Sequence, residues 1–213
     1  MVQRTFRKIK EALPEANLLV ATGNSQVYSI ESQIEGDYDL VVEPERRDTA
    51  PAIILSCGKL AFDLGADPND SVIVLPIDTY ADDGYYKSLA RLAEAVDERP
   101  DGLVLLGIEP TYPSEKYGYI VPVDTVGDIY EVSCFAEKPS EAKAQSLIEK
   151  GALWNGGIFG FKLGYGLDIL RRYTSSKDLE EIIENFQRFL LTMRWSKRPI
   201  RSQSFHVREN GRI

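Results

Sequence analysis

The chain has 213 residues, 43% apolar and 27% charged, with a net charge of −8, a composition that suits an ordinary globular α/β protein with a sizeable core. The acidic balance argues against a nucleic-acid backbone as partner, because phosphate binding at that scale needs a positive field, whereas a nucleotide needs only a few local donors or a metal ion. No run of about 18 apolar residues occurs, the N-terminal stretch is charged and amphipathic rather than a signal peptide, and the single histidine, His206, leaves little room for histidine acid–base chemistry.

The predicted elements follow in chain order. Residues 2–13 read as a helix, with Phe6, Ile9 and Leu13 at helical spacing. Asn17–Ala21 and Tyr38–Val42 are short apolar runs that read as buried strands. A helix over 48–64 has Asp48 or Thr49 as N-cap and Pro51 in its first turn. Ser71–Pro76 is the clearest strand in the chain. Residues 82–98 form an amphipathic helix with Leu89, Leu92 and Val96 on one face, and Gly102–Gly107 is another buried strand. Strands alternating with helices predict a mostly parallel sheet covered on both faces, with ligands outside the carboxyl ends of its strands.

From about residue 117 the pattern changes. Tyr119–Pro122 and Ile129–Glu137 read as antiparallel strands joined by a turn around Gly127 and Asp128. Ser140–Lys150 is a helix with Ser140 as N-cap and Gly151 as its stop. Gly157–Phe161 is a strand, and 163–173 and 178–190 are helices. Cys57 and Cys134 lie far apart in apolar surroundings and read as buried thiols in a reducing cytoplasm rather than as a disulfide.

Several short patterns could carry chemistry, and each has a plain structural alternative. Asp78 follows the strand VIVLP, where a carboxylate can hold Mg²⁺ against a phosphate or simply cap a turn. The segment from Glu43 to Pro51 joins a strand end to a helix N-terminus and offers free backbone N–H groups, or is only a charged loop. Gly118 between Tyr117 and Tyr119 suits close approach of a ligand, or a β-bulge. In FAEKP, Glu137 can accept from hydroxyls and Lys138 can neutralise phosphate. In ALWNGGIF, Asn155 can both donate and accept.

Taken in order and spacing, RRDTAPA, VIVLPIDTY, GIEPTYPSEKYGYI, FAEKP and ALWNGGIF closely resemble the mannose-1-phosphate guanylyltransferases, from about residue 2 to residue 189. The resemblance implies a Rossmann-like, GT-A-type nucleotidyltransferase fold and conversion of GTP and mannose 1-phosphate to GDP-mannose and pyrophosphate. It implies Mg²⁺ as cofactor and Asp78 as metal ligand. Lys138 joins Asp78 as a catalytic residue. Glu137, Lys138 and Asn155 would contact the sugar phosphate, Gly118 would line the sugar site, and Arg47 and Thr49 would sit by the nucleotide. The expected partners are therefore GTP and mannose 1-phosphate, without nucleic acid or membrane, in the cytoplasm; a homo-oligomer is compatible with the sequence. A glucose-1-phosphate nucleotidyltransferase and a non-catalytic sugar-phosphate- or nucleotide-binding remnant are the alternatives.

The resemblance breaks at three points. The family shows a histidine after the aspartate where this chain has Thr79. It opens with a central strand and a Gly-rich phosphate loop that this chain lacks, so two neighbouring strands are expected to face a gap with unpaired backbone groups. Residues 191–213, LTMRWSKRPIRSQSFHVRENGRI, are basic and unlike the family. One nucleotide string encodes both this tail and, in another frame, the family-like FDYEVVEKADQIAVIPCPGKWKD. The expectation is a partial nucleotidyltransferase domain over 1–190, N-terminally truncated, with a frameshifted and disordered tail over 191–213 and no turnover by the chain itself. A divergent basic tail is the alternative.

Overall fold

Apolar residues at helical spacing produce α1 (Val2–Ala12), which buries Phe6 and Ile9, and Leu13 is buried just past its end. The computed structural model describes residues 2–43, 49–78, 81–100, 102–123, 129–174 and 181. The Asp48 cap, the turn at Gly127 and Asp128, the 178–190 helix and the 191–213 tail lie outside the described residues.

The expected strands form as β1 (Leu19–Gly23), β2 (Asp39–Glu43), β3 (Ser71–Val74), β4 (Val104–Ile108), β5 (Gly118–Pro122), β6 (Val132–Ala136) and β7 (Leu153–Lys162). The helices after α1 are α2 (Val27–Gln33), α3 (Thr49–Gly58), α4 (Asp83–Glu98), α5 (Glu141–Ile148) and α6 (Leu163–Thr174). A π-helical stretch, Lys59–Asp63, prolongs α3. Helix α2 was not among the expected elements. Strand β7 is longer than expected and begins at Leu153, so WNGG is strand rather than approach to one. Gly151 ends the α5 segment at φ +77°, a backbone angle that costs glycine nothing.

The α/β, Rossmann-like class is as expected, but among the described residues parallel pairing is confined to β1–β2. Strand β7 runs against β3, β4 and β5. Asn155 is opposite both Gly107 of β4 and Gly118 of β5, so these strands lie on opposite edges of β7. Strand β3 shares the β5 edge further along, with Ser71 opposite Lys162 and Val74 opposite Phe159. β3 and β4 therefore point the same way with an antiparallel strand between them, which apolar patterning cannot distinguish from direct parallel pairing.

Two apolar layers cover the sheet. Ile9, Leu13, Tyr86, Leu89, Leu92 and Ile158 form one, with Ile73 and Leu75 against it. Cys57, Phe161, Leu163, Leu167 and Leu170 form the other, with Val72 and Val74 against it. Alternate residues of β3 thus face opposite layers, as the pleat requires. The expected face of α4 is buried, with Leu89 and Val96 fully enclosed. Yet β3, flanked by helices on both faces, is only half-buried along its length.

That exposure has a local cause. A cavity of about 890 Å³ lies against β3 and β1. Every residue of both strands lines it, whereas β2 contributes only Glu43 and β7 contributes none. The cavity therefore adjoins the β1 and β3 edges turned away from their partners. Among the described residues, nothing pairs with either edge.

The two cysteines differ, which corrects the expectation of two buried thiols: both are free, Cys57 is buried and Cys134 is exposed on β6. Among the described residues β6 pairs with one neighbour, β5, and its central residue reaches solvent. Burial pushes the Cys57 thiol up to about 12, and the thiolate is the reactive form. At pH 8, a thiol reagent is expected to modify Cys134 alone in the folded chain and both cysteines in denaturant, as counted by mass spectrometry. No described helix is long and apolar enough to cross a membrane.

Candidate functional site

The candidate residues gather where β4, β7, β5 and β6 cross one line. Gly107 and Gly118 flank Asn155 on its two sides. Tyr119 pairs with Ala136, which places Glu137, just past the end of β6, beside Gly118. The pattern of glycines follows from crowding here. A Cβ on Gly118 would meet the Phe135 ring at 2.5 Å and a Glu137 carboxylate oxygen at 2.9 Å. The close approach that Gly118 permits is therefore that of β6 side chains, which bring Glu137 down onto the strand.

Lys138 follows with φ at 42°, the only described non-glycine residue in the left-handed region. Such outliers need support from their surroundings and concentrate at functional positions. Its Nζ lies 3.3 Å from Glu137 Oε1, and both side chains are mostly exposed. A pair this open adds little to stability and leaves both groups accessible to a ligand. Asn155 is half-buried, and its Oδ1 accepts from the Gly157 N–H at 3.1 Å. That contact turns the oxygen to the backbone and leaves the amide nitrogen as its free donor group.

Aromatic rings stand beside this row. Trp154 is 9% exposed and packs against Tyr112 and Tyr117, with ring centroids 5.1 and 4.9 Å away. Its buried indole N–H has no hydrogen-bond acceptor among the described residues. The loop carrying the tyrosines is held by Tyr119. The Tyr119 hydroxyl donates to the Ser114 carbonyl at 3.0 Å and accepts from the Ser114 N–H at 2.8 Å. Sequence reasoning noted the tyrosines only as flanks of Gly118; the run of Tyr112, Tyr117 and Tyr119 around one loop was the signal for the cluster.

Asp78 lies in a turn beyond β3, exposed to solvent. This corrects its expected place directly after a parallel strand. The strand stops at Val74, because Pro76 has no N–H with which to prolong the ladder. Helix α4 is capped by Asp82, whose carboxylate accepts from the Tyr85 N–H at 3.0 Å, so Asp78 is not needed for that cap. No three acidic, histidine or cysteine side chains among the described residues group as a metal cage. A lone carboxylate fits a Mg²⁺ that takes its other ligands from water and substrate phosphates.

Thr49 opens α3 and lines the end of the cavity, together with Gly23, Asn24, Ser25 and Gln26 beyond β1, Glu43 of β2 and Ile77 beside Asp78. Arg47 lies outside the described residues. Asn24–Gln26 went unnoticed in the sequence, although a polar TGNSQ run after a strand is a loop signal. The structure thus unites Gly118, Glu137, Lys138 and Asn155 in one row, while Thr49 and Ile77, the neighbour of Asp78, line the cavity.

The nucleotidyl transferase family profile matches residues 1–194. The chain is 34% identical over 170 residues to a mannose-1-phosphate guanylyltransferase of Sinorhizobium fredii, covering 76% of this chain and 32% of that protein. It is 36% identical over 166 residues to a mannose-1-phosphate guanylyltransferase of Escherichia coli, covering 70% and 34%. A Thermus thermophilus structure described as a mannose-1-phosphate geranyltransferase superposes with a TM-score of 0.70 at 32% identity, covering 86% of this chain and 57% of that one. The chain spans about a third of the length of the two curated relatives.

Proposed function

The chain belongs to the nucleotidyl transferase family, and from that premise we propose that its site is built for mannose 1-phosphate and GTP, the substrates of GDP-mannose formation. The row of Gly118, Glu137, Lys138 and Asn155 carries this reading, supported by the two guanylyltransferases at 34% and 36% identity. In that row Glu137 accepts from sugar hydroxyls, Asn155 donates to them and Lys138 offsets the phosphate charge.

The reaction is an in-line displacement. A phosphate oxygen of the sugar phosphate attacks the nucleotide α-phosphorus, the bond to the β-phosphate oxygen breaks, and pyrophosphate leaves. No bond to the protein forms. The chain's residues position the attacking phosphate and stabilise charge. Asp78 would hold Mg²⁺, which neutralises phosphate charge when bound. Arg47 and Thr49 are assigned to the nucleotide side.

The proposal separates binding from turnover. Among the described residues, the cavity beside Thr49 is lined by Glu15, Glu43 and Asp70 and by no lysine or arginine. The 213-residue chain is proposed to bind the sugar phosphate without transferring nucleotide; Arg47, assigned to the nucleotide side, lies outside the described residues. Calorimetric titration of the purified chain is expected to show tighter binding of mannose 1-phosphate than of glucose 1-phosphate. The reverse order would move the reading to a glucose-1-phosphate nucleotidyltransferase. Pyrophosphate release from GTP and mannose 1-phosphate, above a protein-free control, would overturn the absence of turnover.

A further inference from the structure

We propose that Phe135 is the apolar wall of the sugar subsite, its ring stacking on the C–H face of the hexose while Glu137, Asn155 and Lys138 hold the polar groups, a role that rests on the sugar-phosphate reading of that site. The strand register sets two rows side by side on one face of the sheet. Gly107, Asn155, Gly118 and Glu137 form the polar row. Two residues before Asn155, Leu153 pairs with Ile120, and Ile120 pairs in turn with Phe135. Side chains two apart on a strand share a face, so Leu153, Ile120 and Phe135 make an apolar row beside the polar one. Trp154 and Tyr119, one position away, turn to the opposite face and are buried there with Ala144 and Leu147. Phe135 is therefore the aromatic ring of these two rows on the face of Asn155.

The two rows touch. Leu153 leans over Gly107, and Phe135 leans over Gly118, where a Cβ would stand. The Phe135 ring and a Glu137 carboxylate oxygen approach the same point above Gly118, at 2.5 and 2.9 Å. An acceptor thus stands at the edge of an aromatic ring, with the Asn155 amide across Gly118. A hexose matches this arrangement, because its hydroxyls donate and accept around the rim while its C–H bonds present an apolar surface to the electron-rich face of a ring.

Burial separates Phe135 from the core. Ile120 of the same row is 5% exposed, whereas Phe135 is 47% exposed. Single exposed apolar side chains are common on any protein, and Val132 on the same strand is equally open at 47%. Val132 pairs with Pro122, at the end of β6 away from Glu137. What sets Phe135 apart is its place over Gly118 beside the carboxylate, and Val132 serves as its control.

The experiment titrates the full 213-residue chain with mannose 1-phosphate, in parallel with Phe135→Leu, Phe135→Tyr and Val132→Ala. Phe135→Leu is expected to weaken binding about tenfold, Phe135→Tyr to stay within about threefold of the parent, and Val132→Ala to bind as the parent does. Ligand NMR supplies a readout that a merely structural role would not move. The sugar C–H protons should shift upfield on binding to the parent and to Phe135→Tyr, and lose that shift with Phe135→Leu. Unchanged affinity in Phe135→Leu, an upfield shift that persists there, or an equal loss in Val132→Ala would overturn the role of Phe135 and leave the sugar-phosphate reading standing. Failure of the parent to bind any hexose 1-phosphate would overturn that reading and the role of Phe135 with it. Tighter binding of glucose 1-phosphate would change the choice of hexose alone, and the same tenfold loss in Phe135→Leu for that ligand would still support the stacked ring.

Discussion

Replacing Tyr119 with phenylalanine is expected to lower folding stability by about 2–4 kcal/mol, although the change removes one oxygen. The Tyr119 side chain is fully buried. Its hydroxyl satisfies both backbone groups of Ser114, donating to the carbonyl and accepting from the N–H, and Ser114 is itself 3% exposed. Phenylalanine keeps the ring in its apolar cluster with Ala144, Leu147, Ala152 and Trp154 but leaves a buried donor and a buried acceptor unpaired. For a chain of this size the loss corresponds to a fall in Tm of roughly 4–16 °C. The midpoint of urea unfolding measures it, and a shift below about 0.5 kcal/mol would mean that water or a backbone shift satisfies Ser114 instead. The loop of Tyr112 and Tyr117 is anchored at this point, so sugar-phosphate binding should weaken alongside stability.

Lys138→Ala should do the opposite, removing binding while sparing the fold. The Lys138 side chain is 63% exposed and its one ion pair, to Glu137, is equally open. The unfolding midpoint should stay within about 0.5 kcal/mol of the parent. The affinity for mannose 1-phosphate should fall about 10- to 100-fold, the range of one charge-assisted hydrogen bond. Lys138→Arg restores charge but not shape and is expected to recover part of the affinity. Unchanged affinity in Lys138→Ala would remove this lysine from the site and leave the row without its cation.

Much of the fold was legible because its elements have strong local signals. The buried Phe6, Ile9 and Leu13, and the Leu89–Leu92–Val96 face of α4, follow from helical periodicity alone. Gly151 marked a helix stop. What went wrong also had local reasons. Asp78 was placed at a strand end because VIVLP is one apolar run, whereas Pro76 ends the ladder early. Cys134 was read as buried from its apolar surroundings, yet among the described residues β6 has a partner on one side only, and Val132 and Phe135 beside it are themselves exposed. The close approach expected at Gly118 brings the Phe135 and Glu137 side chains against it.

By itself the sequence determined the family, the order of strands and helices apart from α2, and the identities of Glu137, Lys138 and Asn155 as candidates, because each rests on short-range pattern. Only the tertiary structure decided that β7 runs antiparallel between β3 and β4. It alone aligned Gly107, Asn155, Gly118 and Glu137 in one row. The reason is physical: strand direction and register are settled by hydrogen bonds between residues far apart in the chain, and buried strands of either direction show the same apolar run. The gap beside β1 and β3 was expected from the resemblance, whereas its volume of about 890 Å³ was settled only by the packing of both strands between their helices.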